Sequence, residues 1–298
     1  MNDEQFDVVI VGGGPGGLSA ALALGRGRRR VLLCDAGPRR NAAAEEMHNF
    51  LTRDGTPPSE LRRLAREELS AYPSVKVVDA RVESVSGEDG AFDVRLGGGQ
   101  QVRAKKVLLT TGMIDLPSAL PGLREVWGHS SFQCPYCHGW EHRDQHWGYL
   151  ASAPELLLFP MLLRGWTKDV TLLTDGRVDL PAEVRAQLES GGVHIDERRI
   201  ESLAHEGTRL RGVTFTEGAT LPMDVLFHHP PQKQVPLVES LGVKLNDGGY
   251  VQVEGQGKTS RAGIWAAGDL TTHVQGAVLA ASAGMLAAAG INFELALG

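Results

Sequence analysis

The chain lacks several features that define large classes of protein. Its 30 Lys and Arg face 36 Asp and Glu, a net charge of −6, so it lacks the basic excess of most proteins that bind nucleic acid or anionic membranes. Three cysteines in 298 residues are too few for a disulfide framework. The acidic N-terminus lacks the basic segment and long apolar run of a secretory signal. The longest weakly polar stretch, Gly276 to Gly290, is shorter than the ~20 apolar residues that span a bilayer. We therefore expect a cytoplasmic protein with no nucleic-acid or membrane partner.

Glycine, in contrast, is abundant. It accounts for 37 of the 298 residues, well above the average share of about 7%. The glycines follow no fixed period, which favours tight turns beside ligands over a fibrous repeat. At ~100–200 residues per domain, the length predicts about two domains.

Strands and helices alternate along the chain, as in α/β proteins with parallel sheets. Val8 to Val11 is predicted to be a buried strand, Gly16 to Gly25 a helix of small residues, and Val31 to Asp35 the next strand. Glycine clusters at 87–90 and 97–99 predict turns between hairpin strands.

The same pattern restarts in the middle of the chain. Gly148 to Ala151 is predicted to be a strand, Pro154 to Leu163 a helix and Val170 to Thr174 a strand. The turn-rich segment Asp115 to Gly122 and the segment Val235 to Leu245 are candidate domain boundaries.

The first chemical motif is Gly12-Gly-Gly14-Pro15-Gly-Gly17, with the spacing G-x-G-x-x-G, between a predicted strand and a predicted helix. Its glycines permit a tight turn and close backbone approach, so the helix N-terminus can hold a pyrophosphate. Asp35 ends the next strand, where a carboxylate can accept hydrogen bonds from ribose hydroxyls. The motif predicts a dinucleotide site without specifying the dinucleotide.

The second motif is Cys134-Pro-Tyr-Cys137-His138. The spacing fits a redox-active dithiol, a zinc site completed by His142 and His146, or two inert thiols. Only four residues separate Cys137 from His142, whereas zinc-finger pairs lie about 12 or more apart, so the redox dithiol is favoured and no metal is expected. His138 could stabilise a thiolate, shuttle a proton or be a structural polar residue.

The order of motifs along nearly the whole chain resembles that of low-molecular-weight thioredoxin reductases. The resemblance rests on the glycine motif, Thr110-Thr111-Gly112, the Cys-x-x-Cys, Phe227-His-His-Pro230 and Gly263 to Asp269. It implies an α/β fold of two Rossmann-like domains of the thioredoxin reductase type, FAD as cofactor and a homodimer. It also implies that residues 1–115 and 245–298 form the FAD-binding domain, and that residues 116–244 form an NAD(P)-binding-like domain carrying the cysteines.

The resemblance also implies a set of FAD-binding residues. Asp269 would bind the ribityl chain, and the helix starting near Gln275 would point its N–H groups at the flavin, where they stabilise negative charge. The implied set is Gly12, Gly14, Pro15, Gly17, Asp35, Asn49, Thr111, Gly112, Gly268, Asp269, Gln275, Gly276 and Ala277.

The middle domain departs from the thioredoxin reductase pattern. Where the family has a glycine-rich turn for NADPH, this chain has Leu150-Ala151-Ser-Ala-Pro154, whose Cβ atoms and missing N–H disfavour a pyrophosphate. Glu155 would face the phosphates, and Asp175 stands where an arginine would hold the 2′-phosphate. We therefore expect a degenerate nucleotide site that does not bind NADPH.

The string Cys-Pro-Tyr-Cys-His-Gly-x-Glu, the segment Met47-His-Asn49 and the degenerate site resemble the dithiol oxidases of gliotoxin- and holomycin-type biosynthesis. The resemblance implies that Cys134 exchanges with a small dithiol substrate, Cys137 lies next to the flavin, His138 is the acid/base and O₂ accepts the electrons. One alternative is a thioredoxin reductase-like enzyme, fed by ferredoxin, flavodoxin or NADPH, that reduces a thioredoxin-like protein. Another is a flavin-binding redox sensor.

Overall fold

The computed structural model describes residues 4–37, 40–116 and 118–298. The strands are β1 Gln5–Val11, β2 Val31–Cys34, β3 Val75–Val78, β4 Val82–Glu88, β5 Ala91–Leu96, β6 Gln101–Leu109, β7 Ile114–Asp115, β8 Ser131–Phe132, β9 Trp147–Leu150, β10 Val170–Leu173, β11 His194–Asp196, β12 Ile200–Glu206, β13 Arg209–Phe215, β14 Thr220–Pro222, β15 Val225–His228, β16 Gln232–Lys233 and β17 Ile264–Ala266. The α-helices are α1 Pro15–Arg26, α2 Pro58–Leu69, α3 Leu123–Val126, α4 Pro135–His138, α5 Phe159–Leu163, α6 Ala182–Ser190, α7 Pro236–Ser240 and α8 Ala277–Leu297. Pro154–Leu156 and Asp269–Thr271 form 3₁₀ turns.

The described chain divides into two compact units. The first holds the residues up to 42 together with 49–114 and 232–298, and the second holds 43–48 and 115–231. The division expected from the sequence placed residues 232–244 in the middle domain instead. They belong to the first unit because Leu237, Val238, Leu241 and Val243 are buried in its core.

The first unit is built on a sheet in the order β3-β2-β1-β6-β5-β4. The strands β3, β2, β1 and β6 run parallel, while β4, β5 and the start of β6 form the antiparallel hairpins expected around the glycine clusters. On the side of β6 away from β1, its first residues pair with β5 and its final residues pair in parallel with β17. Because both faces are covered, alternate residues of β1 enter different cores: Val8 and Ile10 pack with α1 and α8, and Val9 and Val11 with the hairpins and α7.

Two glycines allow α1 and α8 to pack with their backbones in close contact. A Cβ on Gly284 would overlap the carbonyl oxygen of Gly16, and a Cβ on Gly16 would lie 3.1 Å from the carbonyl oxygen of Ala280. Because Gly16 and Ala280 lie in the first turns of α1 and α8, the N-termini of the two helices lie close together.

The second unit contains a parallel sheet in the order β11-β10-β9-β15-β8 and an antiparallel sheet of β12, β13 and β14. The helical segment predicted from Pro154 to Leu163 is present within these bounds, but it is not one continuous α-helix. The segment breaks into a 3₁₀ turn and the short α5. Pro160 explains the break, because it has no N–H to donate to the carbonyl of Leu156 and its ring clashes with that turn.

Helix α8 is longer than the sequence indicated. It continues beyond Gly290 to Leu297, and among the described residues it is the one helix long and apolar enough, by length and composition, to cross a membrane. The expectation that this stretch is too short was therefore wrong. Its inner residues, including Gly284, Ala287 and Ile291, are nevertheless buried against the core that contains α1. A cytoplasmic location stays a prediction.

Candidate functional site

The glycine turn between β1 and α1 is closely packed on one side and open on the other. Gly12 has a φ of +119°, and a Cβ there would overlap the carbonyl of Thr110, while one on Gly17 would overlap the carbonyl of Gly12. A Cβ on Gly14 would meet no atom of the described chain within 4 Å. The turn therefore packs tightly inward and leaves room for a ligand outside Gly14 and Pro15.

Both helices that begin at this edge present uncapped N-termini. Within the described residues, no side chain caps α1 after Gly14 or α8 after Gly276. The first N–H groups of an α-helix have no partner inside the helix and carry its positive dipole end. The two adjacent helix starts thus form a site suited to anionic or electron-rich groups.

Asp35 lies directly beside the glycine turn. It follows β2 and is 6% exposed, and a Cβ on Gly13 would lie 2.6 Å from its Cγ. Its Oδ1 accepts the N–H of Gly37 at 3.0 Å, and its Oδ2 pairs with Arg62 and with Arg66, the latter at 3.0 Å. The structure therefore places the predicted carboxylate beside the turn and adds two arginines that sequence reasoning missed.

The segment after β6 also reaches this edge. Thr110 donates its hydroxyl to the carbonyls of Val11 and Gly12, the latter at 2.9 Å, which fixes the loop against the glycine turn. Thr111 follows, and Gly112 has a φ of +65°.

Asp269 and the start of α8 are joined by one hydrogen-bond network. Arg40 pairs with Asp269 at 3.2 Å and also donates to Gln275. The Gln275 amide in turn donates to the Asp269 carbonyl at 3.2 Å. Gly268 has a φ of +90°, which turns the chain out of β17 into this network.

Twelve of the thirteen predicted cofactor residues thus lie at one edge of the first unit, and the exception is Asn49. Asn49 has a φ of +63°, and its N–H donates to Asp54 at 2.8 Å. The others follow the carboxyl ends of the parallel strands β1, β2, β6 and β17, or form the start of α8: Gly12, Gly14, Pro15, Gly17, Asp35, Thr111, Gly112, Gly268, Asp269, Gln275, Gly276 and Ala277. Ligands of open α/β sheets bind outside the carboxyl ends of the strands.

The two motif cysteines form a disulfide in the second unit. Cys134 precedes α4 and Cys137 lies within it, with their Cα atoms 5.3 Å apart. Both are half-buried, and Tyr136 between them is 61% exposed. Cys34 is separate from this pair: it is buried in β2, and burial raises the pKa of its thiol to about 12.

His138 packs directly behind this disulfide turn. Its ring stacks on Phe132 with the centroids 4.2 Å apart. Burial, with smaller contributions from His48 and His142, lowers the pKa of His138 to about 4. The imidazole is therefore neutral near pH 7, so it can accept a proton but does not provide a fixed positive charge for a thiolate.

His48 joins this cluster from a distant part of the sequence. Its Nε2 lies 3.6 Å from carboxylate oxygens of both Glu46 and Glu141. Glu141 ends the Cys-Pro-Tyr-Cys-His-Gly-x-Glu string, so the segment Met47-His-Asn49 and the cysteine motif are neighbours in space. The two sequence motifs alone assign no role to His48.

The other histidines and tryptophans of this region differ in their surroundings. The ring centroids of His142 and Phe132 lie 5.1 Å apart, and Nε2 of His146 forms a hydrogen bond with the Thr171 hydroxyl at 3.0 Å. Trp147 is fully buried in the core of the second unit, whereas Trp140 is 66% exposed.

Aromatic and histidine side chains pack together near the carboxyl edge of the parallel sheet in the second unit. The Tyr149 hydroxyl lies 3.0 Å from Nδ1 of His229, and the His229 ring packs edge-on against Phe159. After β10, Asp175 accepts the N–H of Ile200 at 2.6 Å. The 3₁₀ turn that follows β9 lacks the long helix N-terminus that holds a pyrophosphate in a dinucleotide fold.

His228 is buried on the same strand end. Its ring packs against Trp127 with the centroids 4.9 Å apart, and burial lowers its pKa to about 4. Both adjacent histidines are therefore enclosed by aromatic groups of the second unit.

Comparison with known proteins agrees with this architecture. Residues 6–147 and 165–284 match the family model described as pyridine nucleotide-disulphide oxidoreductase. The chain belongs to this family. Members of the family are oxidoreductases that use FAD, and the thioredoxin reductase-type fold expected from the sequence is confirmed.

Several thioredoxin reductase-like members of the family are similar over almost their whole length. The thioredoxin reductase aclD of Aspergillus oryzae is 33% identical over 99% of this chain and 98% of its own. The crystal structure of an oxidoreductase from Agrobacterium tumefaciens is 34% identical, with a TM-score of 0.93, and covers 98% of this chain and 99% of its own. The crystal structure of HlmI is 37% identical, with a TM-score of 0.92, and covers 98% of this chain and 93% of its own.

The buried neutral state of His138 predicts a pH dependence of stability. In the unfolded chain His138 takes up a proton near pH 6.5, whereas in the folded chain it resists protonation down to about pH 4. The contribution of neutral His138 to the free energy of unfolding is therefore fully present above pH 6.5 and is lost as the pH falls through this window. Thermal midpoints of the holoenzyme measured between pH 7.5 and 4.5 should fall less steeply for His138→Asn than for the natural chain. His194→Asn, at an exposed position on β11, is the control. Equal slopes for all three proteins would show that His138 is not buried in its neutral form.

Proposed function

We propose that this enzyme is an FAD-dependent dithiol oxidase that closes a disulfide in its substrate and passes the electrons to O₂. The observation that supports the proposal is the carboxyl edge of the second sheet, where Tyr149, His229 and Phe159 pack together and would leave no room for a second nucleotide. The enzyme then has a dithiol and a flavin site but no nicotinamide site, so electrons enter through the cysteines.

The residues of the first unit fit FAD. The N–H groups at the start of α1 would hold the pyrophosphate, Asp35 the ribose hydroxyls and Asp269 the ribityl chain. The uncapped start of α8 would place positive helix-dipole charge where a reduced flavin becomes negative. When bound, FAD supplies a two-electron acceptor for the reduced cysteine pair and a route from there to O₂.

Four features of the second unit oppose NADPH. Ala151 and Ala153 carry Cβ atoms where bare backbone is needed, and Pro154 lacks an N–H. Glu155, exposed in the 3₁₀ turn, adds negative charge. Asp175, where an arginine would meet the 2′-phosphate, is instead held by the Ile200 N–H and by Arg177 at 2.7 Å.

The cysteines would carry out thiol-disulfide exchange with the substrate. A substrate thiolate attacks the sulfur of Cys134, forming a mixed disulfide and releasing Cys137 as a thiolate. The second substrate thiol then attacks the substrate sulfur of that mixed disulfide and releases Cys134, which leaves a substrate disulfide and a reduced cysteine pair. The pair re-forms its disulfide by giving up two electrons and two protons, which end on O₂ as H₂O₂.

His138 would accept the proton from the attacking thiol. Its imidazole is neutral at neutral pH and follows Cys137 directly in α4. Its low pKa means that it holds the proton only briefly, so an acceptor must follow. His48, within 3.6 Å of Glu46 and Glu141, provides a second basic group in the same cluster.

The substrate is proposed to be a small-molecule dithiol. The alternative, reduction of a thioredoxin-like protein, is favoured by the names of relatives such as the thioredoxin reductase aclD. The two functions run electrons through the same cysteines in opposite directions. They differ in whether O₂ or an external reductant reacts with the flavin.

Substitution of either motif cysteine should abolish oxidase turnover. Either change removes the Cys134–Cys137 disulfide, so the substrate thiolate has no disulfide to attack and no reduced cysteine pair forms to give up two electrons. We expect O₂ uptake and H₂O₂ formation with dithiothreitol to stop in both variants while the protein keeps its FAD. Cys34→Ala removes the third cysteine and should retain activity. A single motif variant with undiminished turnover would contradict the mechanism.

We also propose a homodimer formed through the outer face of α8. This face carries exposed apolar residues at intervals of seven, Leu279, Leu286 and Phe293, of which Phe293 is 67% exposed. A small exposed residue follows each of them three positions later: Ser282, Ala289 and Ala296. A sustained seven-residue apolar repeat along a helix is typical of helix pairing, and a second copy of the same helix is its natural partner.

A charge on this face should dissociate the dimer. Leu286→Glu would place a carboxylate among apolar side chains, and the measured mass by light scattering should fall by half. Leu51→Glu, at a position 88% exposed outside α8, should leave the mass unchanged. A natural chain that is monomeric, or a Leu286→Glu variant that stays dimeric, would rule out this interface.

A further inference from the structure

Arg62 is an unusual arginine because it is almost completely enclosed. It is 7% exposed and lies on the buried face of α2, with Pro58 and Leu69. Arginine is almost never fully buried unless its charge is paired. Its position therefore requires a specific set of partners.

The partners within the chain satisfy only part of the guanidinium. Its Nη2 pairs with Oδ2 of Asp35, but Nε and Nη1 are buried with no hydrogen-bond partner in the described chain. Arginine–carboxylate pairs are frequently bidentate and use two parallel N–H bonds, whereas this pair is formed through one nitrogen. A buried donor without an acceptor costs free energy, so an acceptor from outside the described chain would stabilise these N–H groups.

The neighbouring charges do not provide that acceptor. Arg66 bonds to the same Oδ2 of Asp35 at 3.0 Å and to Asp79 at 2.6 Å. The Asp35 Oδ1 is engaged by the N–H of Gly37. Asp35 would thus keep two partners, Arg66 and Gly37, even without Arg62.

The location of Arg62 identifies the missing acceptor. Through Asp35 it lies beside Gly13 and the glycine turn, at the carboxyl ends of β1 and β2. In this fold that crevice holds the adenosine half of a dinucleotide. Adenosine offers acceptors of the kind these N–H groups lack, namely ribose oxygens and adenine ring nitrogens.

We propose that Arg62 is an FAD-positioning residue whose free Nε–H and Nη1–H groups donate to the adenosine half of the cofactor, while Asp35 accepts from its ribose hydroxyls. The arginine and the carboxylate then act as a donor–acceptor pair on one nucleoside. The inference rests on the placement of FAD at the glycine turn proposed above. It is independent of the direction of electron flow through the cysteines.

The test is the dissociation constant of FAD, measured by the fluorescence of released flavin on serial dilution of the holoenzyme. Arg62→Met should weaken FAD binding on the order of ten- to a hundredfold, the effect of losing hydrogen bonds from a charged donor. Arg63→Met is the matched control, because Arg63 is on the same helix and its exposed side chain pairs with Glu60 and Glu67. It should bind FAD as the natural chain does.

Arg62→Lys separates positioning from a structural charge. Lysine can still pair with Asp35 but does not supply the planar donors at Nε and Nη1. We expect a thermal midpoint in saturating FAD close to that of the natural chain, with FAD binding still weakened. Full recovery of FAD affinity in Arg62→Lys, or unchanged affinity in a folded Arg62→Met variant, would overturn the inference.

Asp35→Asn distinguishes failure of this inference from failure of the underlying site. If Asp35→Asn weakens FAD binding and Arg62→Met does not, the cofactor lies at the glycine turn but Arg62 does not contact it. If neither variant changes the dissociation constant, the adenosine half of FAD lies elsewhere and both proposals fail.

Discussion

Close backbone contact at glycines is the constraint on which the first unit depends. Gly16 and Gly284 allow α1 and α8 to touch, and Gly12 allows the glycine turn to rest on the carbonyl of Thr110. These contacts bring two uncapped helix N-termini and the ends of four parallel strands to one edge. A side chain at any of these positions would separate the elements that together fit a flavin dinucleotide.

The second unit repeats the parallel sheet but ends its strands differently. Its first loop carries alanines and a proline where the first unit has glycines, and the following helix breaks before Pro160. Tyr149 and His229 then occupy the strand ends. One topology therefore supports a cofactor site in one unit and, in the other, a disulfide beside the buried imidazole of His138.

Sequence reasoning located the features that are local in the chain. The glycine turn, Asp35, the cysteine pair and the restart of the strand–helix pattern all follow from short motifs and periodicity. It missed features that depend on distant segments, such as the meeting of His48 with Glu141 and of Arg62 with Asp35. The boundary near residue 231 was also missed. The apolar residues that follow it fit the core of either domain by their sequence, and only the structure shows that they join the first unit.

The central claim is that electrons enter this enzyme through the cysteines and not from a nicotinamide. The most direct measurement is an anaerobic titration of the purified yellow protein, following flavin absorbance with NADPH first, then dithiothreitol, then air. The account predicts no bleaching by NADPH, full bleaching by dithiothreitol and return of the colour within seconds of admitting air. Prompt bleaching by NADPH would contradict it and identify an NADPH-dependent disulfide reductase instead.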